Sequence, residues 1–390
     1  MLVVFTRLLR LPDHSFFLFG PRGTGKTTWL RSVLPEAVWF DLLRTETYLA
    51  LSRRPETLRQ QIEARPARTW VVVDEVQRLP SILNEIQVLM TEHGNTYRFA
   101  LSGSSARRLK RSDANLLAGR AINRQFFPLI AAELGRDPDL EQVLRFGLLP
   151  QIQMEPAFAV DFLDAYVANY IREEIQQEAL VRNLASFSRF LEVAALMNGQ
   201  VVNVAGLARD AAVARPTVQG YFATLVDTLI GFWLPAWRKR ARVKEVASPK
   251  FYLFDPGVAR ALAGRSREHL DGTERGFLLE TWILHELRAA MSLHTTGGQL
   301  HYWRTPSGSE VDFIWSRGAR AVGIEVKAAA TWRSEYGAPL KSLIDAAALQ
   351  EGYGVYTGTA ELKDGPVRVM PLLRFLEHLA SGEVLGRPAP

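Results

Sequence analysis

Cysteine is absent from the 390 residues. That absence excludes disulfides, thiolate zinc sites, iron–sulfur clusters and cysteine nucleophiles, and it fits a reducing compartment. Long hydrophobic runs are missing too: no stretch approaches ~18 uninterrupted apolar residues, the length a membrane span needs. The N-terminus carries Arg7 and Arg10 after its apolar stretch and has no small-residue cleavage site, so it does not read as a signal peptide. The expectation is a cytoplasmic protein. No internal repeat or low-complexity tract appears. Neither sign of charge dominates: Lys and Arg number 47 against 41 Asp and Glu, a net charge of +6. This permits a polyanionic partner without requiring one. Apolar residues at 47% and charged residues at 23% exclude a disordered or fibrous chain. The length allows 2–3 domains of roughly 150 residues each.

What is present is an alternation of short apolar runs with helical stretches. Phe16–Phe19, Val38–Phe40, Trp70–Val73 and Tyr97–Leu101 read as strands of a mostly parallel sheet flanked by helices. The expected fold class is α/β in four pieces. Residues 1–135 form a nucleotide-binding domain, 136–185 a helical lid or linker, 186–255 a helical domain ending in strands, and 256–385 a C-terminal α/β domain.

Residues Gly20, Pro21, Arg22, Gly23, Thr24, Gly25, Lys26 and Thr27 fit G-x-x-x-x-G-K-[ST]. They follow the strand Phe16–Phe19 and open a helix beginning near Thr28, the context the pattern requires. Glycines let backbone N–H groups converge on phosphate oxygens, and the helix N-terminus adds positive potential. Lys26 is expected to reach the β/γ-phosphates of ATP, and the Thr27 hydroxyl to ligate Mg²⁺. The strand Trp70–Val73 ends in Asp74 and Glu75: Asp74 can hold the metal, and Glu75 can orient the attacking water. The adjacent pair points to hydrolysis rather than to a binding switch alone. Ser102 and Ser104 end the next strand, where a hydroxyl can sense the γ-phosphate or cap a helix.

With Leu117-Ala-Gly-Arg120 downstream, the first third resembles an AAA+ ATPase. The resemblance matches Ser102 or Ser104 to sensor one and Arg120 to the arginine finger, with Arg107 and Arg108 as competitors. A finger acting on a neighbour's nucleotide implies a homo-oligomeric ring, most often a hexamer.

In the middle, Phe187, Phe190, Leu191, Ala194 and Ala195 recur at helical spacing, Val202–Ala212 forms a short helix, and Pro216 opens a third. Helix, short helix, turn, helix and strands resemble a winged helix-turn-helix. Arg238, Lys239, Arg240, Arg242 and Lys244 then suit a phosphate backbone, with Trp233 and Trp237 available for stacking. Arg and Lys are absent from Pro216 to Ile230, which argues against base-specific reading and leaves sequence-independent DNA contact through the basic segment, or a purely structural wing.

Further on, Glu280 lies in a helix among apolar residues, where an unpaired carboxylate is costly. Glu325 and Lys327 share one face of a strand, and Asp312 is expected on its neighbour. Three carboxylates and a lysine would offer a hard oxygen site for Mg²⁺, with Asp312 and Glu325 as ligands. This segment resembles the PD-(D/E)XK nucleases. The whole chain resembles a prokaryotic family joining an AAA-type ATPase to such a domain, through Pro249-Lys250-x-Tyr252-x-x-Asp255, Trp303-Arg304, Glu310-Val-Asp312 and Glu325-Val-Lys327. Two purposes stay open, and the basic segment favours DNA in either: an ATP-driven enzyme that grips and remodels duplex or branched DNA, or a nucleotide-gated protein that binds DNA or a protein partner. Two readings of the C-terminal carboxylates stay open: phosphodiester cleavage, or an inactive scaffold that binds DNA or a protein.

Overall fold

The computed structural model describes residues 5–105, 117, 119–171, 184–238 and 248–386. Its N-terminal part is built on five parallel strands: β1 (Phe16–Phe19), β2 (Val38–Asp41), β3 (Trp70–Asp74), β4 (Arg98–Gly103) and β5 (Ile122–Gln125), in the order β2-β3-β4-β1-β5. Successive side chains of a strand face opposite sides, and both sides of this sheet are covered. Phe16, Leu18, Val72 and Ala100 pack with Trp29 and Leu30 of the helix Lys26–Val33. Phe17, Val71, Val73, Phe99 and Leu101 pack with Ile82, Ile86 and Leu89 of the helix Ile82–His93. The near-continuous apolar strands seen in the sequence follow from this two-sided burial. The first four strands lie where the sequence places them.

The middle contains the helices Leu184–Leu196, Val204–Asp210 and Arg215–Asp227, then an antiparallel pair, β6 (Gly231–Leu234) and β7 (Lys250–Leu253). Asn203 caps the second helix by accepting from the N–H groups of Ala205 and Gly206, both at 3.1 Å. Aromatic edges tie the unit together: Phe222 meets Phe190 at 4.9 Å and Phe251 at 4.6 Å between ring centroids. Two expectations fail here. Trp237 is only 8% exposed and packs beside Trp303 and Val311, so it is no stacking surface. The apolar spacing of the third helix leaves Thr224 on its outer face, yet Thr224 is buried and donates to the Gly220 carbonyl.

The C-terminal part is a six-stranded mixed sheet in the order β12-β13-β11-β10-β9-β8. It comprises β8 (Gln299–Arg304), β9 (Glu310–Arg317), β10 (Arg320–Lys327), β11 (Glu351–Tyr356), β12 (Leu362–Asp364) and β13 (Val367–Pro371). β8, β9 and β10 form an antiparallel meander, whereas β10, β11 and β13 run parallel. The helix Gly272–Leu293 buries Trp282, Ile283 and Leu287 under the sheet. One apolar core runs unbroken from Leu129 through the middle helices to Leu385. Among the described residues, no helix is long and apolar enough to cross a membrane.

Candidate functional site

The loop Gly20–Thr27 leaves β1 and turns into the helix starting at Lys26. Gly20 is required by space, because a Cβ there would sit 2.1 Å from the Phe126 carbonyl oxygen. Gly25, at φ 90°, takes the left-handed conformation that glycine adopts without strain. The Lys26 ammonium is buried and donates to the carbonyls of Gly20 at 2.8 Å and Pro21 at 3.1 Å. Thr24 donates to the Pro21 carbonyl at 2.9 Å, and Thr28 faces solvent. Arg22 and Gly23 form the outer edge of the loop: the Arg22 carbonyl accepts from the Tyr166 hydroxyl at 2.9 Å, and Gly23 lies against the Tyr166 ring.

Asp74, 2% exposed, stands at the end of β3 and accepts from Thr27 Oγ1 at 2.7 Å and from the Ser102 hydroxyl. β4 lies between β1 and β3, with Ser102 beside Leu18 in register, which brings Ser102 between the loop and the carboxylate. Glu75 adopts a left-handed φ of 59°, a strained conformation for a non-glycine residue. Its carboxylate accepts from Gln77 Nε2 at 2.5 Å, and the same amide reaches Ser104 Oγ at 3.0 Å. Glu75 is thus linked through Gln77 to the second serine at the end of β4. A hydroxyl and a carboxylate 2.7 Å apart beside the glycine loop form a donor set suited to magnesium. Arg120 is exposed in the turn before β5, on the other side of β1 from β4. Arg107 and Arg108 lie outside the described residues.

Three residues of this site escaped sequence reasoning. Arg7 donates to the Thr24 carbonyl at 2.9 Å and to the Phe127 carbonyl at 2.7 Å, while its guanidinium stacks 4.2 Å over Phe126. Tyr166 and Gln77 complete the loop's surroundings. Arg7 and Tyr166 carry no local signal, since each acts across the fold; the proximity of Gln77 to Asp74-Glu75 could have drawn notice.

The C-terminal carboxylates meet in a cleft of about 550 Å³ lined by Lys250, Glu280, Arg304, Glu310, Asp312 and Glu325, with Lys327 and Tyr336 beside them. Asp312 Oδ2 accepts from the Val326 N–H at 2.8 Å and lies 3.9 Å from Lys327 Nζ, which also binds Glu325. Glu280 accepts from the Tyr252 hydroxyl at 2.9 Å and lies 3.6 Å from Lys250 Nζ. Burial and the neighbouring Asp312 push the Glu280 carboxyl up to about 7 against the pull of Lys250. The same two causes hold Glu325 well above the carboxylate range. Burial works against the Lys250 ammonium, yet Glu280, Asp312 and Glu310 keep its pKa above that of a free lysine.

Oxygen donors suit a divalent ion, and Glu325 Oε2 is buried without a hydrogen-bond partner. They share the cleft, but among the described residues no three of them bring ligand atoms within 4.8 Å of one another. Among the described residues, the one group of three such ligands with atoms within 4.8 Å of one another is Glu63, Glu92 and His93, at the surface of the N-terminal part. Lys250 and Glu310, absent from the expected site, are part of the cleft. Lys250 had a signal, in Pro249-Lys250-x-Tyr252. Of the basic segment, Arg238 is exposed, and Lys239, Arg240, Arg242 and Lys244 lie outside the described residues.

Residues 13–135 match the model of an AAA domain, 137–269 that of a domain of unknown function (DUF8612), and 275–375 that of a second (DUF4143). An uncharacterised protein of Mycobacterium tuberculosis is 27% identical over 320 residues, spanning 80% of this chain and 70% of its own. A Mycobacterium bovis protein matches to the same extent. Among solved structures, the ORC1 protein of Aeropyrum pernix in complex with DNA is 13% identical, with a TM-score of 0.30, over 65% of this chain and 87% of that one. The RuvB protein of Thermotoga maritima is 16% identical, with a TM-score of 0.31, over 57% and 82%.

Proposed function

We propose that the protein is a Mg²⁺-dependent ATPase that binds and remodels duplex or branched DNA. The observation that carries the hydrolytic part is the convergence of loop and strand end: Thr27 on Asp74 at 2.7 Å, with Glu75 the next residue. On this reading Lys26 leaves the Gly20 and Pro21 carbonyls for the β- and γ-phosphates, and the loop N–H groups from Gly23 to Thr28 hold their oxygens. Thr27 and Asp74 hold magnesium, which when bound draws charge from the phosphate oxygens. Glu75 orients a water in line with the γ-phosphorus. The new P–O bond forms from that water as it gives up a proton, the bond to the β–γ bridging oxygen breaks, and ADP, phosphate and the proton leave. Ser102, or Ser104 through Gln77, reports the γ-phosphate to Asp74 and Glu75. Arg120 reaches a neighbouring subunit's nucleotide in a ring, most often a hexamer.

DNA contact rests on the basic run Arg238, Lys239, Arg240, Arg242 and Lys244, with residues 186–255 as a winged helix and 256–385 as a nuclease-like platform. Replacing the five by Gln should abolish DNA stimulation of phosphate release and flatten the salt dependence of DNA binding by about one unit of slope per lost phosphate contact. Unchanged binding would remove this segment from the interface. A second reading, a nucleotide-gated binding module that cuts nothing, is favoured at the C-terminal cleft by Lys250 standing among the carboxylates.

A further inference from the structure

The motif Pro249-Lys250-x-Tyr252 places two side chains on one face of β7, and both reach Glu280. Lys250 Nζ lies 2.5 Å from Glu310 Oε1 and 3.6 Å from Glu280 Oε2, and 5.3 Å over the Tyr302 ring. Its side chain is 4% exposed. The Tyr302 hydroxyl donates to the Ser248 carbonyl, which fixes the backbone that presents it.

We propose that Lys250 is the built-in counter-cation of the C-terminal cleft, standing where a divalent ion would otherwise neutralise Glu280, Glu310, Asp312 and Glu325. Charge balance carries the inference. Glu335, at the exposed rim of the cleft, is answered by Arg333 at 3.5 Å; the four inner carboxylates face the cations Lys250, Lys327 and Arg304, the last 3.5 Å from Glu310. Even with all four ionised the remainder is one negative charge, and protonation of Glu280 or Glu325 lowers it further; that is too little to hold a doubly charged ion beside a buried ammonium that repels it. Taking the ammonium away leaves two negative charges and the unpartnered Glu325 Oε2, which together suit one divalent ion. Lys250 and a metal therefore exclude one another, and the spread of the carboxylates reflects the lysine's hold on Glu280 and Glu310. The inference rests on the cleft alone and stands whether or not the chain hydrolyses ATP.

The test is Mn²⁺ binding by calorimetry and electron paramagnetic resonance at pH 7.5. It uses the full chain without nucleotide, in an Asp74→Asn background that removes the loop's own metal site. Lys250→Met should bind at least tenfold more tightly than the Lys250 protein, and Lys250→Arg should not. Adding Glu325→Gln to Lys250→Met should abolish the gain, which separates the cleft from Glu63, Glu92 and His93. Thermal unfolding gives an independent readout: Mn²⁺ should raise the midpoint of Lys250→Met and leave that of the Lys250 protein unchanged. If the methionine variant does not fold, Lys250→Gln carries the same comparison. Equal Mn²⁺ affinity with and without the lysine, whether tight or negligible, would overturn the proposal.

Discussion

At the scale of single residues, the molecule keeps several ionisable groups away from water, each for a nameable reason. Glu286 is buried in the helix Gly272–Leu293, and one of its oxygens accepts from the Ala131 N–H at 2.8 Å and from Trp282 Nε1 at 2.9 Å. Burial pushes its carboxyl from 4.5 up to about 7. Because the folded-state pKa lies above the unfolded one, the unfolded chain binds fewer protons across that window. Stability contributed by the protonated group is present below pH 4.5 and is lost as pH rises through about 7. Glu286→Gln keeps the accepting oxygen and deletes the charge. It should stabilise the fold by roughly 1–3 kcal/mol at pH 8 and by little at pH 5; a pH series of thermal midpoints checks this, and no gain at pH 8 would contradict it. His285, next to it, shows the converse. Burial lowers its pKa to about 4, so its Nε2 donates to the Leu129 carbonyl as a neutral ring. Its contribution is present above about pH 6.5 and lost as pH falls toward 4.

At the scale of elements, the phosphate-type loop is held from outside its own domain. Leu149 and Pro150 lie against Gly23 and Gly25, and the Tyr166 ring packs on Phe254 at 6.3 Å while its hydroxyl holds the Arg22 carbonyl. Tyr166→Phe keeps the ring and removes one hydrogen bond. We expect the KM for ATP to rise roughly fivefold, the equivalent of about 1 kcal/mol, with kcat nearly unchanged. A fall in kcat at constant KM would place Tyr166 in the chemical step instead. The strand β7 explains much of what the sequence showed and hid. Its apolar run was legible because all four of its residues are buried, and Gly20–Thr27, Asp74 and Glu75 were legible because strand, turn and helix follow one another locally. The partners of Lys250 were not, since Glu280 and Glu310 come from a helix and a strand thirty and sixty residues away. β5 escaped for a related reason: its run Ile122-Asn-Arg-Gln125 sits at the sheet edge, half exposed, and lacks an apolar pattern. Trp237 misled because an aromatic in a basic run looks exposed, whereas it fills the core beside Trp303.

At the scale of the whole molecule, β7 and the turn after it connect the surroundings of the two candidate sites. Lys250 opens it in the C-terminal cleft, and past its other end Asp255 accepts from the Leu148 N–H at 2.7 Å, just before Leu149 and Pro150 meet the loop. Assembly is tested by mixing. If Arg120 acts in trans, Arg120→Ala and Glu75→Gln subunits should each be inactive alone and recover part of the activity together. Light scattering with a non-hydrolysable ATP analogue should show a ring. A strict monomer at micromolar concentration contradicts the trans role. The central claim, that Gly20–Thr27, Asp74 and Glu75 form a working ATPase, is tested most directly by phosphate release from Mg·ATP, with and without DNA, by wild type and Glu75→Gln, alongside ATP binding by each. The account predicts that both bind ATP and that the variant releases phosphate at least about 100-fold more slowly, as loss of the water-orienting carboxylate requires. Equal release by the two proteins, or no release by wild type with any DNA, would contradict it.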